Sequence, residues 1–328
     1  MNHRKLLSAL LAALMLAGVL SACAPALSAP ETAEAATQAP AEAVEAPKGV
    51  TVTDMTGREI TLDEPATRVV ALSAADCEVL YAVGAGDLIV GRGEYCDYPA
   101  EVLEIPAVQS GMETNIEQII ALKPQVLLMS TMAQTEDQVA QLEAAGIKVV
   151  VSDAQNIEGV YTAITMMGAL TGHVDEAAAV VASMKDTFAS LAARAGELEG
   201  KSVYFEVSPL QYGLWTAGGS TFMDEIANML GLKNVFSNVT GWAEVSEEQV
   251  LEANPDLIVT IAMYFGEGQT PEQEILSRAG WQGVTAVKNG DILNLQTNEL
   301  SRPGPRLADG AKALFDFVLE VVTKANAA

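Results

Sequence analysis

Two kinds of apolar pattern alternate along this chain. "TRVVALS" (67–73) is a short β-branched run of the sort that fills a buried strand. "CEVLYAVGAG" follows it with apolar residues at helical spacing and closes on Gly84 and Gly86. "DLIVGRG" reads as a second strand, "TNIEQIIAL" as a helix stopped by Pro124, and "QVLLMS" as a strand. "TEDQVAQLEAAG" reads as a helix ended by Gly146, and "IKVVVS" as the strand after it. Strands that alternate with helices in this way predict a parallel sheet covered on both faces.

The rhythm breaks between 157 and 199, where strand signal is scarce. "HVDEAAAVVASMKDTFASLAARAGELE" is Ala-rich with apolar residues at helical spacing. It predicts one long helix over most of this region, with room for a shorter one before it and Gly200 as its end. Alternation then resumes. "KSVYFEVS", "DLIVTI" and "DILNL" read as strands, "TFMDEIANMLGL" and "SEEQVLEAN" as helices, and "GPRLADGAKALFDFVLEVVTKA" as a closing helix with Pro305 near its first turn. The expected organisation is an α/β lobe over 50–157, a connecting helical region over 158–199 and a second α/β lobe over 200–328. One segment occurs in both lobes. "IEQIIALKPQVLLM" (116–129) and "EEQVLEANPDLIVT" (247–260) superimpose Glu117 on Glu248, Gln118 on Gln249 and Pro124 on Pro255. Such a weak repeat suggests duplication or shared architecture.

The ends change the picture. Arg4 and Lys5 precede an apolar run from Leu6 to Leu20, about the length of a signal-peptide core and short for a membrane span. "LSAC" at its end resembles the lipobox of bacterial lipoproteins. That resemblance implies a signal peptide over 1–22 and a lipidated Cys23 as the mature N-terminus; ordinary cleavage with an incidental Cys23 is the alternative. Residues 23–49 are rich in Ala, Pro and Glu and almost free of large apolar side chains, so they read as a tether.

Composition then excludes several functions. Eighteen Lys and Arg stand against 43 Asp and Glu, a net charge of −25, and loss of the leader removes Arg4 and Lys5 as well. Nucleic acid needs clustered cations, and anionic lipid would repel this chain, so membrane attachment is expected through the lipid anchor only. Beyond the leader the one histidine is His173, placed at a helix start where it reads as a capping or solvated residue. Zinc or manganese sites and His-dependent hydrolases are not assembled from such a set. No Walker loop or dinucleotide fingerprint is present. The expectation is therefore no catalytic residues, no metal and no cofactor, although carboxylate-only catalysis stays open. Cys77 and Cys96 are the two cysteines of the folded part. An exported protein can join such a pair, and the spacing alone does not decide it.

Four stretches together, "EYCDYP", "GMETNIEQIIALKPQVLL", "GWAEVSEEQVLEANPDLIV" and "SRPGPR", resemble the solute-binding lipoproteins of ABC importers. The resemblance is to the helical-backbone class that binds iron–siderophores, haem or cobalamin, and nearest to its cobalamin-binding members. It runs from about Val50 to Lys324. It implies two Rossmann-like lobes with mostly parallel sheets, joined by one long backbone helix, with a ligand cleft between them and small closure on binding. By the same resemblance the chain is an exported, monomeric, non-enzymatic binding protein. It captures a corrinoid or a ferric siderophore, the corrinoid placed first, and delivers it to a permease–ATPase complex. Haem is the alternative; a lipid-anchored enzyme or adhesin on the same scaffold is the alternative of another class. Glu117 and Glu248 are implied to dock on arginines of a two-fold symmetric permease, while helix capping explains their position as well. Tyr95 and Trp242 are the implied solute contacts, with Arg302, Asn298, Trp215 and Tyr98 as further cleft candidates; turn or core packing is the plainer account of the aromatics. Arg306 is read as a structural residue of the closing helix. The junctions Ser73–Asp76 and Tyr212–Thr216 are expected to line the cleft.

Overall fold

The computed structural model describes residues 49–327 apart from 112, 132–134, 199, 265, 296 and 297. The leader, Cys23 and nearly all of the tether lie outside the described residues. No described helix is long and apolar enough to cross a membrane.

A hairpin of β1 (Val50–Thr53) and β2 (Glu59–Leu62) opens the chain. The first sheet holds β3 (Val69–Ala71), β4 (Ile89–Gly93), β5 (Ala107–Val108), β6 (Val126–Met129) and β7 (Lys148–Val151). Its order is β5-β4-β3-β6-β7 and every pairing is parallel. Helices α1 (Ala74–Ala82), α2 (Ile116–Leu122) and α3 (Glu136–Ala144) connect these strands. After α4 (Ile157–Thr171) and α5 (Val174–Ala192) comes the second sheet. It holds β8 (Ser202–Ser208), β9 (Trp215–Ala217), β10 (Lys233–Asn234), β11 (Trp242–Glu244), β12 (Leu257–Thr260) and β13 (Ile292–Asn294). Its order is β11-β9-β8-β12-β13, with β10 alongside β8. β8, β10, β12 and β13 are parallel; β9 runs against β8 and β11 against β9. Helices α6 (Phe222–Met229), α7 (Glu247–Ala253), α8 (Pro271–Ser277), α9 (Thr285–Asn289) and α10 (Leu307–Ala327) complete this lobe.

β3, β6 and β12 are buried on both faces, which is why they read as unbroken apolar runs. Val126 and Leu128 of β6 join a core shared with α4, α5 and α10, whereas Leu127 packs outward with Ile119 and Leu142. In β12, Leu257 and Val259 join that same shared core, and Ile258 packs outward with Val250 and Trp281. One hydrophobic core thus runs through the helices between the two sheets.

The helical region is the long helix with a shorter one before it: Gly172 takes a left-handed conformation (φ 78°) that ends α4, and His173 then sits at the N-cap of α5. The two helices pack against each other. α5 ends at Ala192 rather than near Gly200; a tighter turn over Ala195–Leu198 follows, where Arg194 pairs with Glu197 and covers the Phe315 ring. The closing helix also begins later than expected, so Arg306 immediately precedes it instead of lying inside it.

The repeated segments fold alike. Asn115 caps α2 by accepting from the Gln118 N–H, and Ser246 caps α7 by accepting from the Gln249 N–H. Each helix ends on a left-handed residue, Lys123 (φ 50°) or Asn254 (φ 43°), before its proline and its fully buried strand.

Candidate functional site

In parallel α/β sheets ligands gather beyond the C-terminal ends of the strands. Exposed aromatic and other large apolar side chains collect there in both lobes. Tyr95 and Tyr98 stand on the segment after β4, Tyr212 and Trp215 lie between β8 and the start of β9, and Met263 follows β12. Tyr95 and Tyr212 are each 75% exposed. The Tyr95 and Tyr212 rings, left in solvent at strand ends, are available surface.

Charged side chains bridge the lobes beside Tyr98. Glu78, buried on α1, accepts from Arg302 Nη1 at 2.9 Å and from Arg306 Nε at 2.9 Å and Nη2 at 2.6 Å. Arg302 also donates to Asp97 at 2.6 Å. The Arg306 guanidinium lies 3.9 Å from the Tyr98 ring centroid. Burial works against both guanidinium charges, yet the hydrogen bonds that Arg302 donates to Asp97 and Glu78, and Arg306 to Glu78, raise both pKa values above the ordinary arginine value. Arg302, a candidate solute contact by sequence, is thus engaged by two carboxylates. A hollow of about 550 Å³ beside this bridge is lined by Tyr81, Tyr98, Pro99 and Pro305 together with Glu78 and Arg306.

The second lobe carries a hollow of about 740 Å³ at the ends of β8 and β12. Tyr212, Met263, Tyr264 and Asn298 line it with Glu206, Glu267 and Glu274. Glu206 receives two hydrogen bonds from Arg278, at 2.7 and 2.8 Å, with both side chains almost wholly buried. Burial raises the Glu206 carboxyl above its usual range, and the Arg278 contacts oppose that shift without cancelling it. Arg278 also pairs with Glu274 and stacks 4.6 Å from the Trp281 ring. The arginine is committed on every side, so the free polar character of this hollow is acidic.

The candidate ligand residues do not fall in one hollow. Asn298 lines the second-lobe hollow and Tyr98 the bridge hollow. Trp242 is half-buried, tilted on Phe222 with centroids 5.3 Å apart, and its Nε1–H donates to Gln155 Oε1 at 3.1 Å. Trp215 is partly exposed on β9, opposite Glu244 of β11. The first lobe adds a polar cluster at the ends of β3 and β7. Asp76 is buried, and its Oδ2 has no hydrogen-bond partner among the described residues. Burial pushes its carboxyl up to about 7, and the charge of Asp153 adds to the shift against hydrogen bonds from Ser152 and Ser73.

Sequence reasoning missed Glu78, Asp97, Glu206 and Arg278. An acid inside the apolar run "CEVLYAV" was a usable signal for Glu78. Glu206 and Arg278 meet across 72 residues, and nothing local marks either.

Glu117 and Glu248 are exposed near the starts of α2 and α7. Glu248 is held below the usual carboxylate range by its own N–H and by Ser246, as a helix-start anion would be. Each glutamate stands three positions before an exposed large apolar residue, Ile120 or Leu251. That spacing places both on one helix face.

Residues 69–298 match the family described as Periplasmic binding protein. The chain is 34% identical over 275 residues to the ABC transporter substrate-binding lipoprotein YvrC of Bacillus subtilis, covering 82% of this chain and 85% of that one. It is 29% identical over 248 residues to the vitamin B12-binding protein of Photorhabdus laumondii, covering 75% and 86%. Among solved structures, a possible iron-binding (periplasmic solute-binding) protein from Staphylococcus epidermidis superimposes with a TM-score of 0.64 at 30% identity, covering 78% of this chain and 99% of that one.

Proposed function

The chain belongs to the periplasmic binding protein family, and from that premise we propose that it is the extracytoplasmic solute-binding component of an ABC importer. Its solute is a large, flat chelate held between the lobes. The observation that carries this reading is the set of solvent-exposed rings and Met263 at the strand ends of both lobes. Flat apolar faces give a large contact area at low entropy cost. The electrostatics order the candidate solutes. A ferric siderophore that carries net negative charge would need free cations, and Arg278, Arg302 and Arg306 are all engaged by carboxylates. A corrinoid presents many amide N–H donors, which suit Glu267, Asn298 and the other polar groups around the 740 Å³ hollow. The corrinoid is therefore the first reading. Tyr95, Tyr98, Trp215, Trp242, Asn298 and Arg302 form its rim.

Delivery to the permease uses α2 and α7. A two-fold partner presents the same patch twice, and each lobe offers one exposed acid with one exposed apolar neighbour, Glu117 with Ile120 and Glu248 with Leu251. The partner chemistry is an arginine beside an apolar depression, repeated once. Cys23 carries the lipid that holds the chain at the outer face of the cell membrane.

The test is absorbance of the purified chain after mixing with cobalamin, haem or a ferric siderophore and removing unbound solute. A retained corrin spectrum is the expected result. Retention of an iron charge-transfer band or a haem band instead moves the assignment to that solute. No retained chromophore from any of the three sinks the reading.

A further inference from the structure

Two thiols converge on one carbonyl. Cys77 Sγ lies 3.7 Å and Cys96 Sγ 3.8 Å from the Ala71 carbonyl oxygen, to which both thiols donate. Both residues are fully buried. Cys77 is on α1, turned back toward β3, while Cys96 is in the turn after β4, its N–H donating to the Gly93 carbonyl at 3.1 Å. We propose that Cys77 and Cys96 form a disulfide, made as the exported chain folds. The proposal rests on the export reading for its oxidant and on the geometry for its partners.

Two sulfurs that contact the same carbonyl oxygen are neighbours, and closing a bond about 2 Å long between them is a matter of side-chain rotation. No group of three or more His, Cys, Asp or Glu among the described residues is placed to hold a metal ion, so the pair does not read as half of a metal site. Timing follows from burial. In the folded chain the Cys96 contact and burial hold the Cys77 thiol well above its ordinary range, so thiolate is scarce and reagents are excluded. Oxidation therefore precedes closure of the core. One thiolate attacks a disulfide-bonded oxidant, either a thiol oxidoreductase or oxidised glutathione, and expels one of its sulfurs. The second thiolate then displaces the other sulfur from the mixed disulfide. A Cys77–Cys96 bond forms, and the oxidant leaves as two thiols carrying the two electrons and two protons.

The bond would tie the segment bearing Tyr95, Asp97 and Tyr98 to the helix bearing Glu78. It closes a loop of roughly twenty residues, which biases the folding equilibrium by about a hundredfold on the chain-entropy account.

The reduced, denatured chain would be refolded in a glutathione redox buffer, then thiol-blocked, digested without reductant and mapped by mass. The expected product is one linked peptide pair, lighter by two hydrogens, and an unfolding midpoint that falls on adding dithiothreitol. The Cys77→Ala/Cys96→Ala variant should show no such fall. A refolded chain with native circular dichroism whose two cysteines both carry the blocking group overturns the proposal. The same map on chain taken from cells, sorted by leader cleavage, separates the two premises. Free Cys77 and Cys96 in leader-cleaved chain overturn the disulfide, whereas a bond formed on refolding together with no cleaved chain in cells supports the pair and overturns export.

Discussion

The two lobes place the same local construction at the cleft and finish it differently. In each, a hydroxyl caps a helix and a buried aspartate follows three residues later: Ser73 and Asp76 on α1, Thr221 and Asp224 on α6. Asp224 accepts from Asn228 and Asn234, each at 2.9 Å. Asp76 keeps one oxygen unpartnered among the described residues and titrates near 7. Buried acids are normally satisfied because an orphaned one destabilises the fold. The second lobe follows that rule. The first departs from it beside Ser152 and Asp153, at the strand ends where solute would sit. The repeated helices sort in the same way. Their caps are answered within the chain, while Glu117 and Glu248 face solvent.

The sharpest separation is expected in transport. Glu117→Ala combined with Glu248→Ala should abolish solute uptake by whole cells while the purified chain binds solute as before. Normal uptake by the double variant would return both residues to helix-start electrostatics.

Stability should then split the two aspartates in opposite directions. Asp76 has a raised folded pKa, so between pH 4 and 7 the folded state keeps a proton that the unfolded state has released, and stability falls as pH rises through that window. Asp76→Asn should flatten this slope and raise stability at pH 7 by up to about 4 kcal/mol, read from urea unfolding of the solute-free chain at a series of pH values. An unchanged slope breaks the contrast. Asp224→Asn should instead lose about 1–3 kcal/mol, because it places an amide where two asparagine N–H donors converge. The smallest effects belong to the caps. Ser246→Ala and Asn115→Ala should each cost about 1 kcal/mol in the same unfolding assay and leave uptake intact. A transport defect from either would mean the caps serve more than the fold.

Much of the fold was legible because local physics sets it. The β-branched runs and the stops at Pro124, Gly146 and Pro255 placed β3, and placed β6, β7 and β12 with their preceding helices. The β1–β2 hairpin went unread, although "TVTDMTGREITL" alternates and turns at Gly57 (φ 88°). The antiparallel β9 and β11 were also missed. Each has three residues and little apolar run of its own, and each is fixed by its neighbour. The rim was partly legible, since aromatics are 5% of the chain and those near turns stand out. Its electrostatics were not. Arg302 alone reads as a free cation for solute, and only the folded chain brings Glu78 and Asp97 to it across more than 200 residues. In the helical region the long helix and the shorter one before it were legible, while the end of α5 at Ala192 was not, because the Ala-rich pattern runs on past it.

The Glu78–Arg302–Arg306 bridge bears on time as well as on structure. If solute leaves by separation of the lobes, those charge-assisted bonds must break first, and they are joined to the rim through Arg302 and through the Tyr98 ring on which Arg306 stacks. The residence time of a bound solute would then be set partly by Glu78, a buried side chain outside the proposed rim. A permease gripping α2 and α7 would act on that clock, shortening a dwell without competing for the solute itself.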